Sequence, residues 1–223
     1  MINGPDPRSL RVMTYNVRGL HDDAAAVAQV LRETAPDVVA LQEPPRGPFA
    51  RNRLRRVAEA AGLEVAVGGR AARTTALLVR AGLPVLGARA VRLPGRPGII
   101  RRGMVIADVA GVRVIGVHLG LSAAERGRHM TRLLTVVTAV DRCVVAGDFN
   151  EPRRGNARRR LGLHLRDLTA GLGPTFPAEQ PQHRIDAVLG TRDLAGSGAR
   201  VVDGEVARRA SDHLPVVVDV RWS

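Results

Sequence analysis

The sequence predicts an α/β domain built on many strands, not all of them parallel. Three observations carry this. Apolar runs alternate with helical patterns up to about residue 62, and strand-like runs then succeed one another directly from residue 63 to residue 119. No linker, repeat or low-complexity stretch divides the chain. A purely parallel doubly wound sheet needs a crossover between strands, so direct succession implies hairpins and mixed pairing.

RVMTYN (11–16) reads as the first strand. Residues 22–35 read as a helix, because Val27, Val30, Leu31 and Thr34 share one face and Pro36 ends it. DVVALQE (37–43) is a second strand, and RNRLRRVAEAAG (51–62) is a second helix closed by Gly62. Five strands follow: LEVAVG, TALLVRAG, LPVLGARAVRLP, GMVIADVAG and VRVIGVHL. The last two are joined by Ala110-Gly111, a link that suits a hairpin. Ser122 and Glu125 have capping-box spacing and open a helix with Met130, Leu133, Leu134 and Val137 on one face. CVVAGDF is again a strand, and residues 153–175 are irregular or helical. HRIDAVLG, ARVVDGEV and HLPVVVDVR are late strands. Residues 1–10 are read as an N-terminal tail and 11–223 as a single domain.

Hydrophobic residues make up 45% and charged residues 25% of the 223, an ordinary globular balance. A chain this long buries enough surface to need no covalent staples. Its single cysteine, Cys143, excludes a disulfide framework and a cysteine metal centre, and suits buried packing. MINGPDPRSL lacks the apolar core of a signal peptide, and no run approaches the ~18 apolar residues of a membrane span. A cytoplasmic location and a monomer are the default expectations. All 34 basic residues are arginine against 21 acids, giving a net charge of +13. Such a field gathers phosphate-bearing molecules. With aromatics at 2%, there is little material for a base-stacking platform.

Polar residues recur at strand ends. Asn16 closes RVMTYN, Glu43 closes DVVALQE, His118 closes VRVIGVH, and Asp148 with Asn150 close CVVAGDFN. Asp186 stands near the start of HRIDAVLG, and Asp212-His213 immediately precede LPVVVDV. If the last two strands run antiparallel to the first four, all these side chains meet at one edge of the sheets. Taken singly, a strand-end Asp or Asn is a turn or cap, and a lone His is structural. Six converging segments make a site.

The set holds three Asp, one Glu, two Asn and two His, with no Cys and no obvious Ser nucleophile. Oxygen-rich ligands suit Mg²⁺ or Mn²⁺, and two His are too few for an all-His zinc site. An Asp–His pair beside a metal can orient and polarise water, while a second His supports the leaving oxygen or the phosphate. The residues read as metal-assisted hydrolysis of a phosphate ester.

TYNVRGL, VVALQEP, RRGMVIADV, GVHLGLSAAERGRHM, VVAGDFNEP, TFPAEQPQHRIDAVL and SDHLPVVVDV together resemble the endonuclease/exonuclease/phosphatase family, in its order, over residues 11–221. The resemblance implies a four-layered sandwich of two mixed sheets flanked by helices. It implies Glu43, with Asn16 and Asp212, as the divalent-metal ligands, and Asp148 as the residue that orients or deprotonates the attacking water. By the same resemblance, Asn150 positions that water or the phosphate, Asp186 pairs with His213, and His118 is the second histidine. The expected activity is that of a small nuclease on DNA or RNA. A phosphoesterase for lipid head groups or a small metabolite is the alternative, and a non-catalytic nucleic-acid-binding relative is the second.

This chain departs from the family at three points. Val17-Arg18 follows Asn16 where abasic-site endonucleases often carry an acid, and Ala187 replaces a frequent tyrosine. Arg73-Thr74-Thr75 stands where a carboxylate would support His118. Candidate substrate contacts are Arg73, Arg101, Arg102, Arg153 and Arg154, the last two within RRGNARRR, which otherwise reads as a solvated helix face. His21, His129, His164 and His183 fall outside the strand-end pattern.

Overall fold

The computed structural model describes residues 8–95, 98 and 100–223. Its strands are β1 (Ser9–Asn16), β2 (Val38–Gln42), β3 (Leu63–Val67), β4 (Thr75–Arg80), β5 (Val85–Arg92) and β6 (Gly103–Val109). They continue with β7 (Val112–His118), β8 (Cys143–Asp148), β9 (Arg166–Asp167), β10 (Asp186–Gly190), β11 (Ala195–Val201) and β12 (Val216–Arg221). The helices are α1 (Ala24–Thr34), α2 (Ala50–Ala60), α3 (Ala123–Val137), α4 (Asn156–Leu161) and α5 (Glu205–Ala210). Among the described residues, no helix is long and apolar enough to cross a membrane. Residues 1–7 of the expected tail lie outside the described residues, and β1 already begins at Ser9.

The strands form two mixed six-stranded sheets, ordered β11-β12-β1-β2-β4-β3 and β5-β6-β7-β8-β10-β9. The apolar runs are continuous because both faces of each sheet are covered. In β1 and β2, Val12, Val38 and Ala40 face the layer between the sheets. Met13, Tyr15, Val39 and Leu41 face outward against α1, α2 and α5. On the second sheet Val114 and Val144 join the inner layer, while Ile115 and Val145 pack with α3 and α4. The result is four layers, as the resemblance implied. Burying each such side chain contributes about 1.5–3 kcal/mol, which outweighs strand propensity differences of about 1 kcal/mol. The layers approach closely at Gly116, where an added Cβ would lie 2.7 Å from Val105 Cγ2 and 3.3 Å from Ala40 Cβ.

Local signals worked where the sequence carried them. Ala110 and Gly111 both take positive φ (48° and 79°), joining β6 and β7 as a two-residue hairpin with Val109 opposite Val112. Ser122 caps α3, its Oγ accepting from the Glu125 N–H at 3.2 Å. Asp23 caps α1 by accepting from Ala26 N–H at 2.9 Å.

One late element differs from its expected form. ARVVDGEV is not one strand: β11 ends at Val201 and α5 begins at Glu205. Asp203 turns the chain by accepting from the Gly204 N–H at 2.7 Å and pairing with Arg208 at 2.8 Å. Residues 153–175 supply the short α4 and β9.

Candidate active site

Strand registers build half of the site in a single row. β7 and β8 are parallel with His118 opposite Asp148, and β10 is antiparallel to β8 with Asp186 also opposite Asp148. The first sheet supplies the other half. β1 and β2 are parallel with Asn16 opposite Gln42, so Glu43 emerges next to Asn16. β12 runs antiparallel to β1, which delivers Asp212 and His213 to the same edge. The chain leaves β2 and β8 through left-handed backbone at Glu43 (φ 51°) and Asn150 (φ 50°), a conformation costing roughly 1–2 kcal/mol outside glycine and less for Asn.

Asp186 Oδ2 lies 3.0 Å from His213 Nδ1 and accepts from Thr175 Oγ1 at 2.6 Å. Phe176 packs on the imidazole with ring centroids 4.6 Å apart. Asp148 Oδ1 accepts from the Asn150 N–H at 2.8 Å, and its Oδ2 accepts from Asn16 Nδ2 at 3.3 Å. The same Asn16 amide reaches Glu43 at 3.5 Å, while its Oδ1 accepts from the Arg18 N–H at 3.1 Å. Asn150 Nδ2 donates to Leu119 O at 3.0 Å.

Burial sets the protonation states. It pushes the Asp148 carboxyl up to about 7, helped by the charge of Asp186 and opposed by His213 and the donors from Asn150 and Asn16. Burial alone would lower His213, but the charge and hydrogen bond of Asp186, with Asp148 and Asp212, raise it to about 9. His118 goes the other way. Burial, then Arg102 and His213, hold it well below its usual range. Its Nε2 lies 3.4 Å from Asp148 and 3.9 Å from Glu43, and since the ring is neutral neither contact is an ion pair. Arg102 Nη1 sits 2.8 Å from Nδ1 and 2.7 Å from Nε2 of His118.

The structure therefore gathers Asn16, Glu43, His118, Asp148, Asn150, Asp186 and His213. Asp212 sits at the margin, its carboxylate 3.5 Å from Arg18 Nε. Arg102 is buried against His118, and the Thr74 backbone, in the segment that lacks a carboxylate, hydrogen-bonds the same ring. Arg73 and Arg101 line a cleft nearby, and Arg153 and Arg154 are exposed on the turn before α4. Their neighbour Arg158 faces inward, paired with Asp167 at 2.6 Å and stacked 4.7 Å over Phe149. His129 is structural, accepting from Gly120 N–H and meeting Pro94 O at 3.0 Å.

Sequence reasoning missed Thr175, Phe176, Ser211 and Arg18 as supports. Ser211 Oγ donates to Asn16 O at 2.7 Å. Ser211 meets Asn16 across 195 residues, Phe176 meets His213 from an irregular segment before β10, and Thr175 and Arg18 also lie outside the strands, so no periodicity announces these contacts. The donor set fits a hard divalent cation. Ligand atoms of Asp148, Asp186 and His213 lie within 4.8 Å of one another, and buried Asp186 Oδ1 has no hydrogen-bond partner among the described residues. Carboxylates packed this closely leave negative charge to be neutralised.

Two stacked mixed sheets closing on a buried carboxylate–imidazole cluster define the deoxyribonuclease-like class of α/β sandwich. The chain belongs to the endonuclease/exonuclease/phosphatase family, whose sequence model matches residues 13–213. Members of this family are in general phosphoester hydrolases, typically dependent on a divalent metal. Similar solved structures include an endonuclease/exonuclease/phosphatase from Beutenbergia cavernae DSM 12333, 28% identical with TM-score 0.75, covering 97% of this chain and 72% of that one. A mannosyl-6-phosphatase of Bacteroides thetaiotaomicron VPI-5482 is 16% identical with TM-score 0.77, covering 96% and 100%. D. rerio TDP2, complexed with single strand DNA product, is 19% identical with TM-score 0.73, covering 96% and 99%. At such identities the last two likenesses show the fold alone. No curated protein matches the chain in sequence.

Proposed function

We propose that this protein is a Mg²⁺- or Mn²⁺-dependent phosphodiester hydrolase, a small nuclease that cleaves DNA or RNA by single-step attack of water. The observation that carries the reading is the Asp148–Asp186–His213 cluster, buried yet flanked by Glu43 and His118 at the adjoining sheet edges. A carboxyl held near 7 is matched to proton transfer at neutral pH, so Asp148 takes the proton as the water oxygen bonds to phosphorus and the ester P–O bond breaks. Asn150 positions that water. His213, fixed by Asp186 and carrying its proton, donates to a phosphate oxygen. His118 and the Arg102 guanidinium lie where they can hydrogen-bond the phosphoryl group or the leaving oxygen. Glu43 would hold the cation, with Asn16 and Asp212 as further oxygen donors once Arg18 releases them, and the ion would supply positive charge to a phosphate oxygen.

The test is a panel of plasmid DNA, single-stranded RNA, an abasic duplex, sphingomyelin and a bis-aryl phosphodiester, each with Mg²⁺, Mn²⁺ or a chelator. Asp148→Asn and His213→Ala are run beside the parent. Metal-dependent cleavage of the nucleic acids, lost in both variants, is expected. Turnover that survives chelation, or variants as active as the parent, would overturn the reading. Preference for a small phosphorylated substrate would favour the alternative, which the likeness to the mannosyl-6-phosphatase keeps in view.

A further inference from the structure

Beside the catalytic cluster lies a cleft of about 760 Å³, bounded by the chain after Glu43, the start of α2, the turn after β3 and residues 100–101. Five arginines line it, Arg46, Arg51, Arg70, Arg73 and Arg101, and no carboxylate does. None of the five forms an ion pair among the described residues. They crowd one another: burial, then Arg92, Arg101 and Arg70, weaken the hold of Arg73 on its proton. Pro44 follows Glu43 and Arg101 precedes Arg102, which contacts His118, so the cleft adjoins the catalytic cluster. Five like charges gathered without a counter-charge are costly until an anion enters.

The cleft is not only basic. Phe49, 78% exposed at the N-cap of α2, and Ile100, 55% exposed, both line it together with Leu54, Pro44 and Pro45. Exposed apolar side chains inside a concave basic cleft call for a ligand that alternates anionic and flat apolar parts. An unpaired polynucleotide strand does so, nucleotide by nucleotide. A duplex presents phosphates but keeps its base faces stacked, and a sugar phosphate has no apolar face to offer. The volume suits one or two nucleotides.

We propose that this cleft binds the strand flanking the scissile bond of a single-stranded polynucleotide. The arginines take its phosphates, and Phe49 with Ile100 takes an unpaired base. The assignment rests on the nuclease reading of the adjoining site and names the form of nucleic acid that reading leaves open.

Binding of a short fluorescent oligo(dT) is measured by anisotropy in chelator, against a duplex of equal length and vesicles containing phosphatidylserine. Phe49→Ala and the double variant Arg51→Ala/Arg70→Ala alter exposed side chains, and unchanged thermal melts verify their folds. Phe49→Ala is expected to weaken oligo(dT) binding roughly tenfold. The double variant should reduce the slope of log K against log salt by about 1.4, two phosphate contacts on a single strand. With Mn²⁺, both should raise KM for the oligonucleotide. Parental Kd and salt slope in both variants would overturn the proposal. So would duplex binding as tight as oligo(dT), or vesicle binding that depends on Phe49 without oligo(dT) binding. Oligo(dT) that binds as expected but resists hydrolysis with Mn²⁺ would sink the nuclease reading and leave the cleft standing. Hydrolysis with KM unchanged in both variants would do the reverse.

Discussion

Asp186, at the start of β10, holds His213, on the loop before β12, at 3.0 Å, a hydrogen bond that joins the second sheet to the end of the first at the catalytic edge. The pair charges His213 by raising it to about 9. Its contribution to stability is full below the unfolded histidine value near 6.5 and is lost as pH rises through about 9. Asp186→Asn should therefore lower kcat by about 10²–10⁴-fold. It should also move the alkaline limb of the activity profile from about 9 towards neutrality, as read from initial rates between pH 6 and 10. An unmoved alkaline limb would count against His213 acting as the charged donor.

Metal binding should carry the signature of Asp148. In the metal-free protein this carboxyl is pushed up to about 7, so Asp148 adds its negative charge to the site only above that pH. Mn²⁺ should raise Tm more at pH 8 than at pH 6, and in Asp148→Asn this pH difference should vanish. Chelation should abolish turnover, and Glu43→Gln should weaken the Mn²⁺ effect on Tm at both pH values. Differential scanning fluorimetry against Mn²⁺ concentration gives all of these except turnover.

Asp167 should prove structural. It accepts from buried Arg158 and from Arg184, and these two charges outweigh its desolvation and hold its carboxyl below the usual range. A depressed carboxylate stabilises above its unfolded value near 3.9, and that stability is lost as pH falls through the folded value. Asp167→Asn leaves Arg158 buried beside a neutral partner. It should cost about 3 kcal/mol near pH 7, with the gap to the parent narrowing below pH 4, as followed by urea titration.

Gly116→Ala should destabilise without touching the site chemistry. Its Cβ has no room between Val105 and Ala40, where the two sheets meet. Overpacking of this kind costs about 1–3 kcal/mol, read as a lower urea midpoint at constant slope. Metal-dependent kcat should stay within about twofold of the parent, given folded protein at the assay temperature.

The sequence by itself determined most of the strands, the cap of α3 and the polar residues that end the strands. Those features are local: Val38 to Leu41 are all apolar because both faces of β2 are buried, and Ser122 caps α3 because its hydroxyl reaches the backbone N–H three residues later. The family's motif order implied the layered architecture, and strand-end position singled out Asn16, Glu43, His118, Asp148 and Asp186 before any pairing was known. Tertiary structure decided what these residues meet. Register placed Asp148 between His118 and Asp186, and stacking of the sheets brought Asn16 to Asp148 across 132 residues. It also set Arg102 on His118, turned Arg18 towards Asp212, and drew Arg158 inside while Arg153 and Arg154 stayed out. Those partners depend on distances between remote segments and on which side chains lose water, and a one-dimensional pattern of polar and apolar residues encodes neither.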